Sequence, residues 1–69
     1  MIRKVLRESP ISLRALAREA GVSHVTLLKV RDGEFEASDQ VRRGVLRALR
    51  KQEALLRRLA DQLEQEEVR

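Results

Sequence analysis

Apolar residues recur at the spacing of helix turns along most of the chain, which predicts an all-α protein. In the N-terminal segment, Ile2, Val5 and Leu6 fall on one face of a helix. Pro10 disfavours helical backbone in the residue before it. The first helix is therefore expected to end near Glu8.

A second helix is predicted over Leu13–Ala20, where apolar residues at positions i, i+3, i+4 and i+7 form one stripe. Ser12 can cap it, because a serine oxygen accepts a hydrogen bond from a free N–H group of the first turn. Gly21 follows the stripe and can adopt the left-handed conformation that ends many helices. A third helix is predicted over His24–Arg31, with Ser23 as its cap.

The turn signal Asp32-Gly33 separates the third helix from a much longer fourth one. Ser38 is expected to cap this fourth helix, and Phe35, just before it, is expected to plug the core. No proline interrupts the helix before about Glu66, and Gly44 costs only about 1 kcal/mol relative to alanine. About twenty-eight residues at about 1.5 Å each make a rod of roughly 42 Å. So small a domain cannot bury that length.

One face of the long helix carries an apolar stripe. Its members are spaced 4, 3, 4, 3 and 4 residues apart, which is the a/d pattern of a coiled coil. We therefore expect a homodimer through this face, with one polar member that either fixes the register or weakens the contact. The predicted oligomerisation residues are Val45, Leu49, Gln52, Leu56, Leu59 and Leu63.

Composition and charge narrow the classes of function. The chain has 69 residues, enough for one small domain but too few for the enclosed pocket of most enzymes. Fourteen basic and seven acidic residues leave a charge of +7 on residues 1–58, whereas one basic and four acidic residues leave −3 on residues 59–69. A basic body of this kind favours polyanionic partners, either nucleic acid or an acidic membrane surface.

Several classes of site are disfavoured by what the chain contains. Without cysteine and with a single histidine, neither a disulfide framework nor a metal site is expected, and no cofactor or small-molecule ligand is expected either. No two residues of the nucleophile, general-base or metal-ligand type stand at a spacing useful for catalysis, so the chain is not expected to be an enzyme. Met1 to Glu8 holds no apolar run long enough for a signal peptide or membrane span. We expect a soluble, intracellular protein.

The segment from Ser12 to Val30 resembles the helix-turn-helix of the phage repressor and Cro-like (Xre) transcriptional regulators. The resemblance extends over roughly Leu13 to Leu49. It implies a helix-turn-helix DNA-binding core in residues 1–37. The family tends to end its domain with two short helices, whereas here one long helix is expected in residues 38–69, completing the core and forming the oligomerisation element. The positions that match the motif are Leu16-Ala17, Gly21-Val22-Ser23, Thr26-Leu27 and Val30.

The resemblance also implies that the third helix is a recognition helix, whose N-terminal residues meet base edges in the major groove while the second helix crosses the backbone. The acidic residues Glu34, Glu36 and Asp39 depart from the family pattern, because relatives often carry basic side chains that contact phosphates there. The residues expected at the bases are Ser23, His24, Val25, Thr26 and Lys29, and those expected at phosphates are Arg14, Arg18 and Arg31.

The function that the resemblance implies is a sequence-specific regulator of transcription, most simply a repressor. It also implies a cytoplasmic, nucleoid-associated protein of a bacterium or phage-infected cell. The regulator would bind double-stranded DNA as a homodimer on a pseudopalindromic operator, with half-sites about 34 Å or a multiple apart. Two other classes stay open. One is a phage DNA-packaging or architectural protein, similar to a small terminase subunit, whose long helix builds a higher oligomer. The other is a protein–protein interaction module that never touches DNA.

Overall fold

The computed structural model describes residues 1–67, and this part of the chain is all-α, as predicted. Its last helix is much longer than the others and continues one residue beyond the predicted end. None of these helices combines the length and apolar character needed to cross a membrane. The helices are α1 (Ile2–Glu8), α2 (Leu13–Ala20), α3 (His24–Arg31) and α4 (Asp39–Glu67).

Local hydrogen bonds set the ends of α2 and the start of α3. The Ser12 Oγ accepts a hydrogen bond from the Ala15 N–H at 3.1 Å, and the Ser23 Oγ accepts one from the Thr26 N–H at 3.0 Å. Each serine satisfies a backbone donor that has no partner inside its helix. Between the two helices, Gly21 adopts a φ of 71°, the left-handed conformation expected of it. The chain therefore reverses tightly between α2 and α3.

The core is built from apolar side chains of all four helices. It uses only the first two turns of α4, so the leucines further along that helix lie outside it. Ala48 and Leu49 pack against its edge. The buried core residues are Leu6, Leu16, Ala17, Ala20, Leu27, Val30, Val41 and Val45.

The expectation for Val45 was wrong. This first residue of the predicted oligomerisation stripe is only 2% exposed and belongs to the core, so it cannot contact a second chain. The stripe is continuous in sequence, but the helix face that carries it first packs against α2 and then extends past the folded body. Leu49 is half-buried at the transition between the two parts.

Phe35 does not plug the core as expected. Its side chain is 47% exposed, and the Lys29 Nζ lies 4.9 Å from the centre of its ring. The backbone N–H groups of Glu34 and Phe35 both donate to the Lys29 carbonyl oxygen, which holds the loop against the end of α3. Aliphatic side chains fill the interior instead.

Gly44 marks a very close approach between α2 and α4. A Cβ atom at this position would lie 2.3 Å from the Ala20 Cα and 2.5 Å from the Ala20 Cβ. No side chain fits there, because carbon atoms in contact are normally about 3.5–4.0 Å apart. Gly44 therefore lowers the intrinsic helix propensity of α4, but the close packing against Ala20 requires a glycine at this position.

Side chains of α4 also bind the C-terminal end of α2. The Gln40 Nε2 donates to the Ala20 carbonyl at 3.0 Å, and the Arg47 Nη2 donates to the Glu19 carbonyl at 2.8 Å. The last carbonyls of a helix have no partner inside it, and their partial negative charge favours a cation nearby. The long helix thus caps α2 and packs beside it.

The Glu19 carboxylate strengthens the same contact. Its Oε1 lies 2.8 Å from the Arg47 Nε and 2.9 Å from the Lys51 Nζ. Hydrogen bonds from Lys51 and Arg47 hold the pKa of Glu19 below its ordinary value of 4.5. The ionised form of Glu19 therefore favours the docked position of α4.

Replacing Glu19 with glutamine should lower the urea midpoint of unfolding at pH 7, because the variant loses both ion pairs. A carboxyl group whose pKa is lowered by folding contributes stability above its unfolded pKa, and this contribution is lost as the pH falls through its folded pKa. The difference between wild type and E19Q should therefore shrink on acidification, which urea titrations at pH 7, 5 and 3 would measure. E53Q, on the exposed part of α4, is the matched control and should change little. Equal midpoints for wild type and E19Q at pH 7 would contradict the prediction.

Candidate nucleic-acid interface

The two-helix unit of α2 and α3 presents one end of α3 to solvent. α1 packs against α3 and α4 packs against α2, while α2 and α3 pack against each other. At the start of α3, Ser23 is exposed and the Val25 side chain is 57% exposed. The first turn of the predicted recognition helix is therefore accessible to a large ligand.

Two hydroxyl groups stand together at this end of α3. The Ser23 Oγ and the Thr26 Oγ1 lie 2.8 Å apart, and either can be the donor. The Ser23 Oγ also accepts a hydrogen bond from the Thr26 N–H, so Ser23 caps α3 and is still exposed to solvent. Whichever hydroxyl donates to the other, the second keeps its hydrogen free for an outside acceptor.

His24 and Val25 complete the first turn. His24 is half-buried, whereas Val25 is exposed and lies outside the hydrophobic core. An exposed isopropyl group next to polar side chains offers the mixed surface that a base edge with a methyl group requires. Ser23, His24 and Val25 thus lie together at the start of α3.

Lys29 lies one turn further along α3 and is half-buried. Its ammonium group lies over the exposed ring of Phe35, at a distance typical of a cation–π contact. The ring face is not a hydrogen-bond acceptor of the ordinary kind, so the three N–H donors of Lys29 stay available. This contact joins the helix to the loop after it and was not foreseen from the sequence.

The three arginines predicted at phosphates differ in their surroundings. Arg14 and Arg18 are exposed on α2, and neither takes part in an ion pair among the residues that the structure describes. The Arg31 Nε instead donates to the Asp32 Oδ1 at 3.1 Å. Arg14 and Arg18 are therefore ready to bind an anion, whereas the positive charge of Arg31 is partly neutralised by Asp32.

An arginine of α1 lies against the turn that follows α3, a contact that sequence reasoning missed. The guanidinium of Arg3 passes so close to Gly33 that a Cβ there would lie 2.9 Å from the Arg3 Cζ. Gly33 has a φ of 84°, which favours glycine independently of this contact. Because α1 and the turn after α3 are distant in sequence, no local pattern indicates that they meet.

The acidic residues Glu34 and Glu36 lie in the loop after the C-terminal end of α3, whereas Asp39 begins α4, next to Gln40, whose Nε2 donates to the Ala20 carbonyl before the turn into α3. Glu34, Glu36 and Asp39 are all exposed. The eight residues of α3 place about 12 Å between this loop and Ser23. The basic residues of α3, Lys29 and Arg31, are in its last turn and therefore share this end of the helix with Glu34 and Glu36.

The described residues contain no group of three or more His, Cys, Asp or Glu side chains that could hold a metal ion. No protein-family model, no curated protein and no solved structure matches the chain.

Proposed function

We propose that this protein is a sequence-specific regulator of transcription, most simply a repressor, that binds double-stranded DNA as a homodimer. The observation that carries the proposal is the exposed N-terminal end of α3, where Ser23, His24 and Val25 lie together. On the adjoining α2, Arg14 and Arg18 form no ion pair with any described residue. The tight turn at Gly21 sets the angle between the two helices. This arrangement suits a helix that enters DNA while its neighbour crosses the backbone.

The dimensions and charge of the unit support the proposal. The major groove of B-form DNA is about 12 Å wide and admits a single α-helix. Arg14 and Arg18 supply sequence-independent contacts to phosphates, which fix position, while the side chains at the start of α3 meet the bases. The surplus of positive charge on residues 1–58 strengthens both contacts and makes them sensitive to salt.

A second copy is needed for useful specificity. One two-turn helix reads only a few base pairs, so two copies related by a twofold axis on a pseudopalindromic site supply the rest. The exposed leucines of α4 favour such an assembly: Leu56 is 54% exposed and Leu63 is 57% exposed. Surfaces of this kind on a small protein typically mark a site of association.

Selection of bound sequences from random DNA, followed by footprinting, tests the proposal directly. The expected result is one short site with twofold symmetry, and an affinity that falls steeply with salt in proportion to the phosphates contacted. Binding without salt dependence, or no binding at all, would overturn the proposal and favour a protein–protein interaction module.

The exposed part of α4 also favours one competing function, a DNA-packaging or architectural protein. Residues 50–66 are all exposed, which gives room for contacts with more than one neighbouring chain. Such an assembly predicts extended, weakly specific protection of DNA and a mass above that of a dimer. Footprinting combined with light scattering therefore separates the two functions.

Replacing Lys29 with alanine should weaken binding to the selected site by about 1 to 3 kcal/mol and relax the base preference at one position. The reason is the loss of an N–H donor to a base acceptor such as guanine O6 or N7. The matched control is F35L, which removes the cation–π contact but keeps the charge of Lys29, and should keep the base preference. Competition binding against sites changed at single positions would measure both. An equal loss on every sequence would place Lys29 at a phosphate instead.

A further inference from the structure

The side of α4 that points away from the core is basic along residues 43–58. On a helix with about 3.6 residues per turn, the six basic side chains of this stretch fall within an arc of about 120°, roughly opposite the buried Val41 and Val45. Glu53 falls outside the arc, and Ala54 is the other residue within it. All six basic residues are exposed. We call this surface the basic face, and its members are Arg43, Arg47, Arg50, Lys51, Arg57 and Arg58.

Nearby acidic side chains neutralise only part of the charge of the basic face. Arg47 and Lys51 share the single carboxylate of Glu19, at 2.8 Å and 2.9 Å, so two cations meet one anion. Arg50 lies 3.1 Å from Glu53 in an exposed pair, and such pairs are weak. Six positive charges against these two negative ones leave +4 along the face. The members that form no ion pair with any described residue are Arg43, Arg57 and Arg58.

The basic face begins beside the turn that leads into α3. The Gln40 Nε2 donates to the Ala20 carbonyl at 3.0 Å and lies 3.4 Å from the Gly21 carbonyl oxygen, two residues before Ser23. Arg43, the first member of the face, follows Gln40 by one helix turn. From residue 43 to residue 58 the face extends about 22 Å along the helix. It therefore continues the candidate interface along α4, away from the start of α3.

The basic face and the apolar stripe of α4 lie on different sides of the helix. In the a/d assignment of the stripe, Leu49, Leu56 and Leu63 occupy a positions, and every member of the basic face falls at a b, c or f position. Residues at b, c and f point away from the partner helix of a coiled coil. A homodimer through the apolar stripe therefore leaves the basic face open.

We infer that the basic face binds the phosphate backbone of double-stranded DNA, as a second contact besides the start of α3. This inference rests on the DNA binding of the proposed function and adds a surface to it. Five of the six cations are arginines, whose planar guanidinium groups can pair with two phosphate oxygens at once. A duplex of about 22 Å carries about six phosphates on each strand, close to the number of cations on the face.

Two other anionic partners fit the basic face less well. A helix that lies in a membrane surface buries large apolar side chains next to its cations, whereas Ala54 is the only apolar residue within this arc. The acidic end of a second α4 carries Asp61, Glu64 and Glu66 within about 8 Å. That segment covers only about a third of the length of the face. The regular phosphates of a duplex can cover all of it.

The salt dependence of DNA binding by the full chain tests the inference. The test variant is R43Q/R57Q, which removes two cations that form no ion pair with described residues and do not dock α4 on α2. The matched control is K4Q/R7Q, which removes two exposed cations of α1. The probes are the selected site and a duplex of equal length with a scrambled sequence, titrated by fluorescence anisotropy between about 50 and 200 mM salt.

The slope of log affinity against log salt should be shallower by about 2 for R43Q/R57Q on both duplexes, because each lost phosphate contact changes it by about 1. At about 100 mM salt the affinity should fall on the order of tenfold or more. K4Q/R7Q should change the slope by less than half as much. R43K/R57K keeps both charges and should keep the wild-type slope.

Three results would overturn the inference. The first is a wild-type slope for R43Q/R57Q, and the second is an equal change in K4Q/R7Q, which would show a general effect of net charge. The third is a loss of dimer mass for R43Q/R57Q in light scattering, because the basic face would then bind a second copy of the chain.

The same titrations keep the two proposals apart. If selection finds a twofold-symmetric site but R43Q/R57Q keeps the wild-type slope, the basic face fails and the proposed function stands. If the protein binds both duplexes equally and R43Q/R57Q lowers the slope, the basic face stands and the sequence-specific regulator fails.

Discussion

Replacing Gly44 with alanine should destabilise the fold by about 3 kcal/mol, at the upper end of the usual cost of overpacking a core. The added Cβ atom meets the backbone of Ala20 at 2.3 Å, which no side-chain rotation can relieve. In a domain of this size the melting temperature should fall by about 12 °C or more. Thermal unfolding followed by circular dichroism would measure the change.

The matched control is A54G on the exposed part of the same helix. Alanine is favoured over glycine by about 1 kcal/mol in a helix interior, so A54G should lower stability slightly. The two exchanges therefore predict opposite preferences along one helix: glycine at position 44 and alanine at position 54. A rise in the melting temperature of G44A would show that α2 and α4 lie further apart than described.

Replacing Leu56 and Leu59 with aspartate should convert the proposed dimer into a monomer. Both side chains are exposed and belong to the apolar stripe of α4 proposed as the dimer contact, and a charge buried in such a contact would have no partner. The core contains no residue beyond Val45, so the folded body should persist. Loss of the second recognition helix should weaken binding to a two-half-site operator at least about a hundredfold. Light scattering and a binding titration would measure the two effects.

The control for this variant is A54D/Q65D, which adds the same two negative charges on the outer face of α4. It should keep the dimer mass. An unchanged mass for L56D/L59D would remove the stripe as the dimer contact. If the control also became monomeric, the cause would be charge rather than the apolar layer.

The ends of the helices were predictable because their signals are local. Ser12 and Ser23 cap the turns that begin beside them, and Gly21 supplies the left-handed residue between them. Each of these interactions joins residues no more than five apart in sequence. A periodic pattern and a short list of capping residues therefore suffice to locate α2 and α3.

Contacts between distant segments were not predictable in the same way. The approach of Gly44 to Ala20 and the bonds from Arg47 to Glu19 depend on the angle at which α4 crosses α2, which no local pattern encodes. Val45 was misassigned for a related reason. Periodicity identifies the apolar face of a helix, but only the three-dimensional structure shows which residues of that face are buried.

The same distinction applies to the candidate interface. The chain places the predicted base-contacting residues Ser23, His24 and Val25 at an open helix end, as their positions in the motif imply. The pairing of Arg31 with Asp32 and of Lys29 with Phe35 depends on side-chain conformations and on the path of the loop. Sequence reasoning identifies the residue types at this surface, and the structure supplies their neighbours.

The way α4 caps α2 has a mechanical consequence. Gln40, Arg47 and Lys51, which span about three turns of α4, hold this helix to the last turn of α2, and Gly44 lets the two backbones touch between Gln40 and Arg47. The long helix therefore acts as a lever fixed to the two-helix unit, without a hinge at their junction. A displacement of α4 near Leu63 is therefore expected to move α2 and α3 together as a rigid body. The distance between two such units in an assembly is set by the number of residues between Gly44 and the point where the helices cross.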